Sequence, residues 1–118
     1  MSVSTSSPLS VATTVAVAPT ETTVLSVARE SMRGAKRLTV GIENKDGSQV
    51  FAGMVYRRMS GMTAWAASTI GDFASIAAGT SVVADLDVEG TDEVEVRGTM
   101  SGAGGNVLVK ANRKAATP

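Results

Sequence analysis

The sequence predicts an all-β protein, an Ig-like antiparallel β-sandwich of about seven or eight strands with an extended N-terminal arm. Three observations predict it. From Thr22 onward, short apolar and polar alternations are separated by glycines at Gly34, Gly41, Gly47, Gly53, Gly61, Gly71, Gly79, Gly90 and Gly98, spaced 6 to 11 residues apart. All three prolines, Pro8, Pro19 and Pro118, lie in the tails, so no expected strand loses a ladder N–H. The 118 residues, 43% of them apolar, suffice for one domain with a real core and not for two.

The chain divides into an arm over 1–21, a sandwich over 22–112 and a C-terminal tail over 113–118. The arm is almost pure Ser, Thr, Val and Ala, with Glu21 its single charge. Such a segment buries too little surface to offset its own ordering entropy, so it is expected to stay extended and to order only against a partner. Its longest unbroken apolar run, Val15 to Pro19, is too short for a signal core or a membrane span, and no basic residues precede it.

In the sandwich, KRLTVGIENKDGSQVFAGMVYRR reads as a hairpin. Leu38, Val40 and Ile42 share one face, Asp46-Gly47 makes the turn, and Val50, Ala52, Met54 and Tyr56 alternate on the return, with Leu38, Val40, Ile42 and Tyr56 expected to be buried as the inward phase. MSGMTAWAASTIGDFASIAAG follows, and its β-branched residues and Gly61 and Gly71 favour two short strands, Thr63 to Ile70 and Phe73 to Ala77, over a helix. TSVVADLDVEG places Val82, Ala84, Leu86 and Val88 on one face, with Asp85 and Asp87 on the other. EVEVRGTM then aligns Val94, Val96, Gly98 and Met100, and after the SGAGGN turn Val107, Val109 and Ala111 complete an expected meander. With no cysteine to staple the sheets, Trp65 and Phe73 are expected to supply the largest buried areas.

The composition excludes much chemistry. No Cys and no His means no disulfide, thiolate nucleophile or imidazole base, and few transition-metal ligands. Asp85, Asp87, Glu89, Asp92, Glu93 and Glu95 supply carboxylates, but strand alternation spreads Asp85, Asp87 and Glu89 over an open face, where acids are solvated and discourage edge pairing. Their spacing also lacks the loop that wraps Ca²⁺. Ser101 to Gly105 is glycine-rich, yet Asn106 leads into a strand and not into the helix that a phosphate cradle needs. No cofactor, metal or catalytic residue is assigned, and the chain reads as a non-enzyme.

Eleven basic residues balance eleven acidic ones, so the overall charge points to neither nucleic acid nor an anionic membrane, and one Tyr, one Trp and two Phe leave little to stack on bases. The distribution is uneven. Residues 24–58 carry seven basic and three acidic side chains, while 59–97 carry one basic and seven acidic. Opposite patches favour docking on a neighbouring subunit, with Arg29, Arg33, Lys36 and Arg37 as candidate contacts.

LTVGIENKDGSQVFAGMVYRR, the Trp-bearing strand, and DFASIAAGTSVVADLDVEGTDEVEVRGTMSGAGGNVLVKA together resemble the small β-sandwich virion proteins of tailed bacteriophages, over roughly Thr22 to Ala111. The resemblance implies a non-enzymatic structural protein of the head decoration or cement type, lying on the capsid surface of the virion after synthesis in the host cytoplasm. It implies the major capsid protein or other virion subunits as partners, with contacts between copies of the chain in the assembly. Val11, Val15 and Val17 of the arm join the basic residues as candidate partner contacts. The alternatives are a head fibre, neck or tail component, or a carbohydrate- or receptor-binding sandwich module.

Overall fold

The computed structural model describes residues 10–27, 35–59, 61–68, 73–88 and 91–115. They form eight strands: β1 (Ser10–Val17), β2 (Thr22–Val27), β3 (Ala35–Asn44), β4 (Phe51–Arg58), β5 (Ala66–Ser68), β6 (Ser81–Asp87), β7 (Glu93–Met100) and β8 (Gly105–Ala115). These make two four-stranded antiparallel sheets, a front sheet in the order β1-β8-β3-β6 and a back sheet in the order β2-β7-β4-β5. The expected all-β sandwich is what the chain adopts.

The strand order differs from that of an immunoglobulin sandwich. β1 pairs with β8, β2 with β7, β3 with β6 and β4 with β5, as in one long ribbon folded at its middle. The ribbon is rolled so that β8 also meets β3 and β7 also meets β4. This is the connectivity of a jelly roll. Two expected pairings are therefore corrected. β3 and β4 lie in opposite sheets, so the Asp46-Gly47 segment crosses between sheets instead of closing a hairpin. β6, β7 and β8 alternate front, back and front, so they form no meander.

Ser10–Val17, assigned to an arm from the sequence, is strand β1, paired with β8 along its whole length from Ser10↔Asn112 to Val17↔Gly105. β8 in turn runs to Ala115, into the expected tail. Val and Thr favour strands, and a low-complexity run of Val, Ala and Thr pairs once a neighbouring strand supplies the ladder. The boundary expected at residue 21 thus runs between two strands of the sandwich.

Between the sheets lie Leu38, Val40, Ile42, Phe51, Val55, Phe73, Ile76, Leu86, Val88, Val94, Val96, Met100, Val107 and Val109, each almost fully buried. The phases expected for β3, β6, β7 and β8 are the observed ones. That of β4 is shifted by one residue: Phe51 and Val55 point inward, while Val50 and Met54 are exposed. The reason is a slot made by two opposed glycines. Gly53 pairs with Gly98 across β4 and β7, and the Phe51 ring lies against both. A Cβ on Gly53 would stand 2.6 Å from the ring, and one on Gly98 would stand 2.5 Å from Phe51 Cε1 and 2.8 Å from the Ala52 carbonyl oxygen. Phe73 and Ile76 reach the core from a short irregular segment, and Ile76 bridges to Phe51. Of the two strands expected, Thr63 to Ile70 is β5 within its described part, with Thr69 and Ile70 outside the described residues, and Phe73 to Ala77 reduces to this bridge.

Candidate interaction surfaces

β1 is the outer strand of the front sheet, and among the described residues no strand lies beyond it. Over SVATTVAV it carries no charge, no proline and no register shift. The other three outer strands are each blunted. β2 shifts register between Thr23 and Leu25, β5 has only three residues, and β6 presents Asp85 and Asp87 to solvent. Charges, bulges and shortness are the usual devices that keep a sheet edge from pairing with another chain. β1 lacks all of them, so among the described residues its outward N–H and C=O groups form an open template.

On the outer face of the front sheet, Gly41 has Val83 opposite it on β6 and Lys110 opposite it on β8. The missing side chain leaves a shallow depression of about 150 Å³ flanked by Val83 and Leu108. Val83 is 70% exposed, the most exposed of the large apolar residues described.

The outer face of the back sheet is built differently. The Arg97 guanidinium lies 4.2 Å from the Tyr56 ring centroid and 5.6 Å from that of Trp65, and Arg58 lies 4.4 Å from Trp65. Carboxylates hold both cations: Arg58 Nε donates to Glu93 at 2.8 Å and Arg97 Nε to Glu95 at 2.9 Å, with Glu21 3.8 Å from Arg97. Hydrogen bonding to Glu93 raises the Arg58 pKa further above its ordinary value. Tyr56 Oη donates to Glu21. Tyr56 and Trp65, expected in the core, are therefore half-buried members of a stacked plate on the surface. β4 phase places Tyr56 there, and cation–π stacking covers the rings in place of other apolar side chains. The signal available in the sequence was the Glu93, Glu95, Arg97 alternation facing Tyr56 and Arg58.

Arg29 and Arg33 lie outside the described residues. Lys36 and Arg37 are in β3, and Arg37 is exposed, with Asp87 opposite it on β6. Val11, Val15 and Val17 are in β1. Val17 is buried in the core and Val15 packs against it, so these two side chains serve the sandwich, the side chain of Val11 lies outside the described residues, and Ala12, Thr13, Thr14 and Ala16 are the exposed side chains of β1. Among the described residues no group of Asp and Glu side chains could hold a metal ion, and no helix is long and apolar enough to cross a membrane.

No protein family and no curated protein matches the sequence. Two solved structures share the fold. A protein of Bacillus endospore appendages, described as a novel family of disulfide-linked pili, superposes with a TM-score of 0.53 at 18% identity over 94% of this chain and 88% of its own. The SPBc2 prophage-derived protein YomS superposes with a TM-score of 0.55 at 18% identity over 94% of this chain and 97% of its own.

Proposed function

We propose that the protein is a non-enzymatic structural subunit of a virus particle, and more specifically a decoration protein that lies on the capsid shell and stabilises it by bridging major-capsid subunits. The observation that carries this reading is the open edge of β1, a surface of little use to a solitary soluble domain and suited to strand addition in an assembly. The fold it shares with a prophage-derived protein and with an appendage subunit supports the reading. This chain has no cysteine and so contributes no disulfide to an assembly. A carbohydrate-binding role is less well supported, because the faces a pyranose ring would stack on already carry guanidinium groups at Tyr56 and Trp65.

Quantitative mass spectrometry of purified particles tests the proposal. The expected result is a copy number comparable to that of the major capsid protein, with particles lacking this chain breaking at lower temperature. Absence from the particle, or hydrolytic turnover by the purified protein, would overturn it. A handful of copies per particle would move it to the neck or tail.

A further inference from the structure

We propose that the partner of β1 is β1 of a second copy, paired antiparallel about a two-fold axis that passes through Thr14. The inference rests on the structural-subunit reading and adds the identity of one contact. A two-fold axis perpendicular to the sheet keeps core-facing positions opposite core-facing positions, so only registers of even sum are allowed. With Thr14 on the axis, Ala12 faces Ala16, Thr13 faces Val15 and Val11 faces Val17, so that VATTVAV reads nearly the same in both directions. Thr14 meets its own copy. Threonine pairs and β-branched pairs are favourable when directly opposed, and no charge stands anywhere in the strand to oppose its like. The pairing also closes an open flank. Val15 is only partly buried at the margin of the core and Thr13 is exposed, and in this register they lie against each other. The front sheets of the two copies become one sheet of eight strands, which leaves the Gly41 depression with its exposed Val83 on the outer face of each copy for other contacts.

The absence of native cysteine makes the register directly measurable. Directly opposed Cβ atoms stand about 4.5–5.5 Å apart, so a small shift brings them to the roughly 3.5–4.5 Å that a disulfide spans, whereas residues displaced by four positions lie far beyond it. Under mild oxidation Thr14→Cys should form a covalent pair of twice the 12.0 kDa chain mass. Ala12→Cys and Ala16→Cys should each stay single alone and link when mixed. Native mass by analytical ultracentrifugation should be that of two chains for the unaltered protein, and that of one chain for Thr14→Lys, which sets two ammonium groups face to face. A single-chain native mass for the unaltered protein overturns the pairing, as does efficient linking of Ala12→Cys alone. So does a mass that grows without limit with concentration, the mark of β1 meeting β6 of the next copy in an open chain. If the protein is a single chain in solution and on the particle, the pairing fails and the structural reading stands. If it pairs but is absent from particles, the structural reading fails and the pairing stands.

Discussion

Asn44 is the fully buried polar side chain among the described residues, and it fastens three segments at one end of the sandwich. Its Nδ2 donates to the carbonyls of Gln49 and Ile76 at 2.8 and 3.0 Å, and its Oδ1 accepts from the Asp46 N–H. Replacing it with Ala leaves the buried Ile76 carbonyl and the part-buried Gln49 carbonyl and Asp46 N–H without this partner, and Asn44→Ala should cost about 2 kcal/mol in urea unfolding with little change in the m-value. Next to it, Asp46 Oδ2 accepts from the N–H groups of Ser48 and Gln49. These bonds, that from Ser48 first, hold its pKa below the ordinary 3.8. A carboxyl depressed in the folded state contributes stability above its unfolded value and loses it as pH falls through the folded one. The advantage of the natural protein over Asp46→Asn in thermal melts should therefore be full near neutrality and shrink as pH drops below about 4. Gly98→Ala would push a methyl group into the Phe51 ring and should cost about 2 kcal/mol. In a Phe51→Leu background the same change should cost clearly less, and equal costs in the two backgrounds would mean that the ring is not the obstacle.

At the scale of elements, alternation made strand positions and most faces legible, because a period of two fixes which residues share a side. It failed at β4 for a specific reason. The inward phase there is Phe51, Gly53, Val55 and Arg57, which reads as less apolar than Val50, Ala52, Met54 and Tyr56. Only the contact between Phe51 and two glycines on different strands decides for the first, and that contact is tertiary. Trp65 was misplaced along with Tyr56 on the same face. β1 was hidden by composition: nothing in SVATTVAV distinguishes a paired strand from a tail until β8 is beside it. Removing residues through Thr20 should lower stability by about 3 kcal/mol and the melting temperature by on the order of 10 °C, since Val17 and Val15 leave the core. An unchanged melting temperature would show that β1 docks only within an assembly.

At the scale of the whole molecule, pairing partners were beyond the sequence, because side-chain period says which face a residue takes and not which strand lies alongside. Strands β3 and β4, joined by a turn dipeptide, looked like neighbours and lie in opposite sheets. The uneven charge was legible as a sum along the chain and misleading as a map. Arg58 from the basic stretch is bound to Glu93 from the acidic one, and Arg37 stands opposite Asp87, so the roll interleaves the two halves. For the interaction surfaces, the feature that matters most, an edge without charge, was present in the sequence as composition and acquired meaning only when the topology put it outermost.

The folded-ribbon connectivity also sets an order of events. Its innermost rung, Arg57↔Ala66, closes a short loop, and Glu43↔Ser81, Val27↔Val94 and Val17↔Gly105 close successively longer ones. Loop-closure entropy rises with each, so the chain is expected to zip from β4 and β5 outward, and slowly for its size. Val55→Ala should then slow refolding in stopped-flow experiments, whereas Val17→Ala should leave the refolding rate nearly untouched and speed unfolding. The strand that completes the barrel-like roll is the last to arrive and the first to leave, so newly made chains would expose β8 for longest, at the moment when another copy's β1 is the segment best able to take its place.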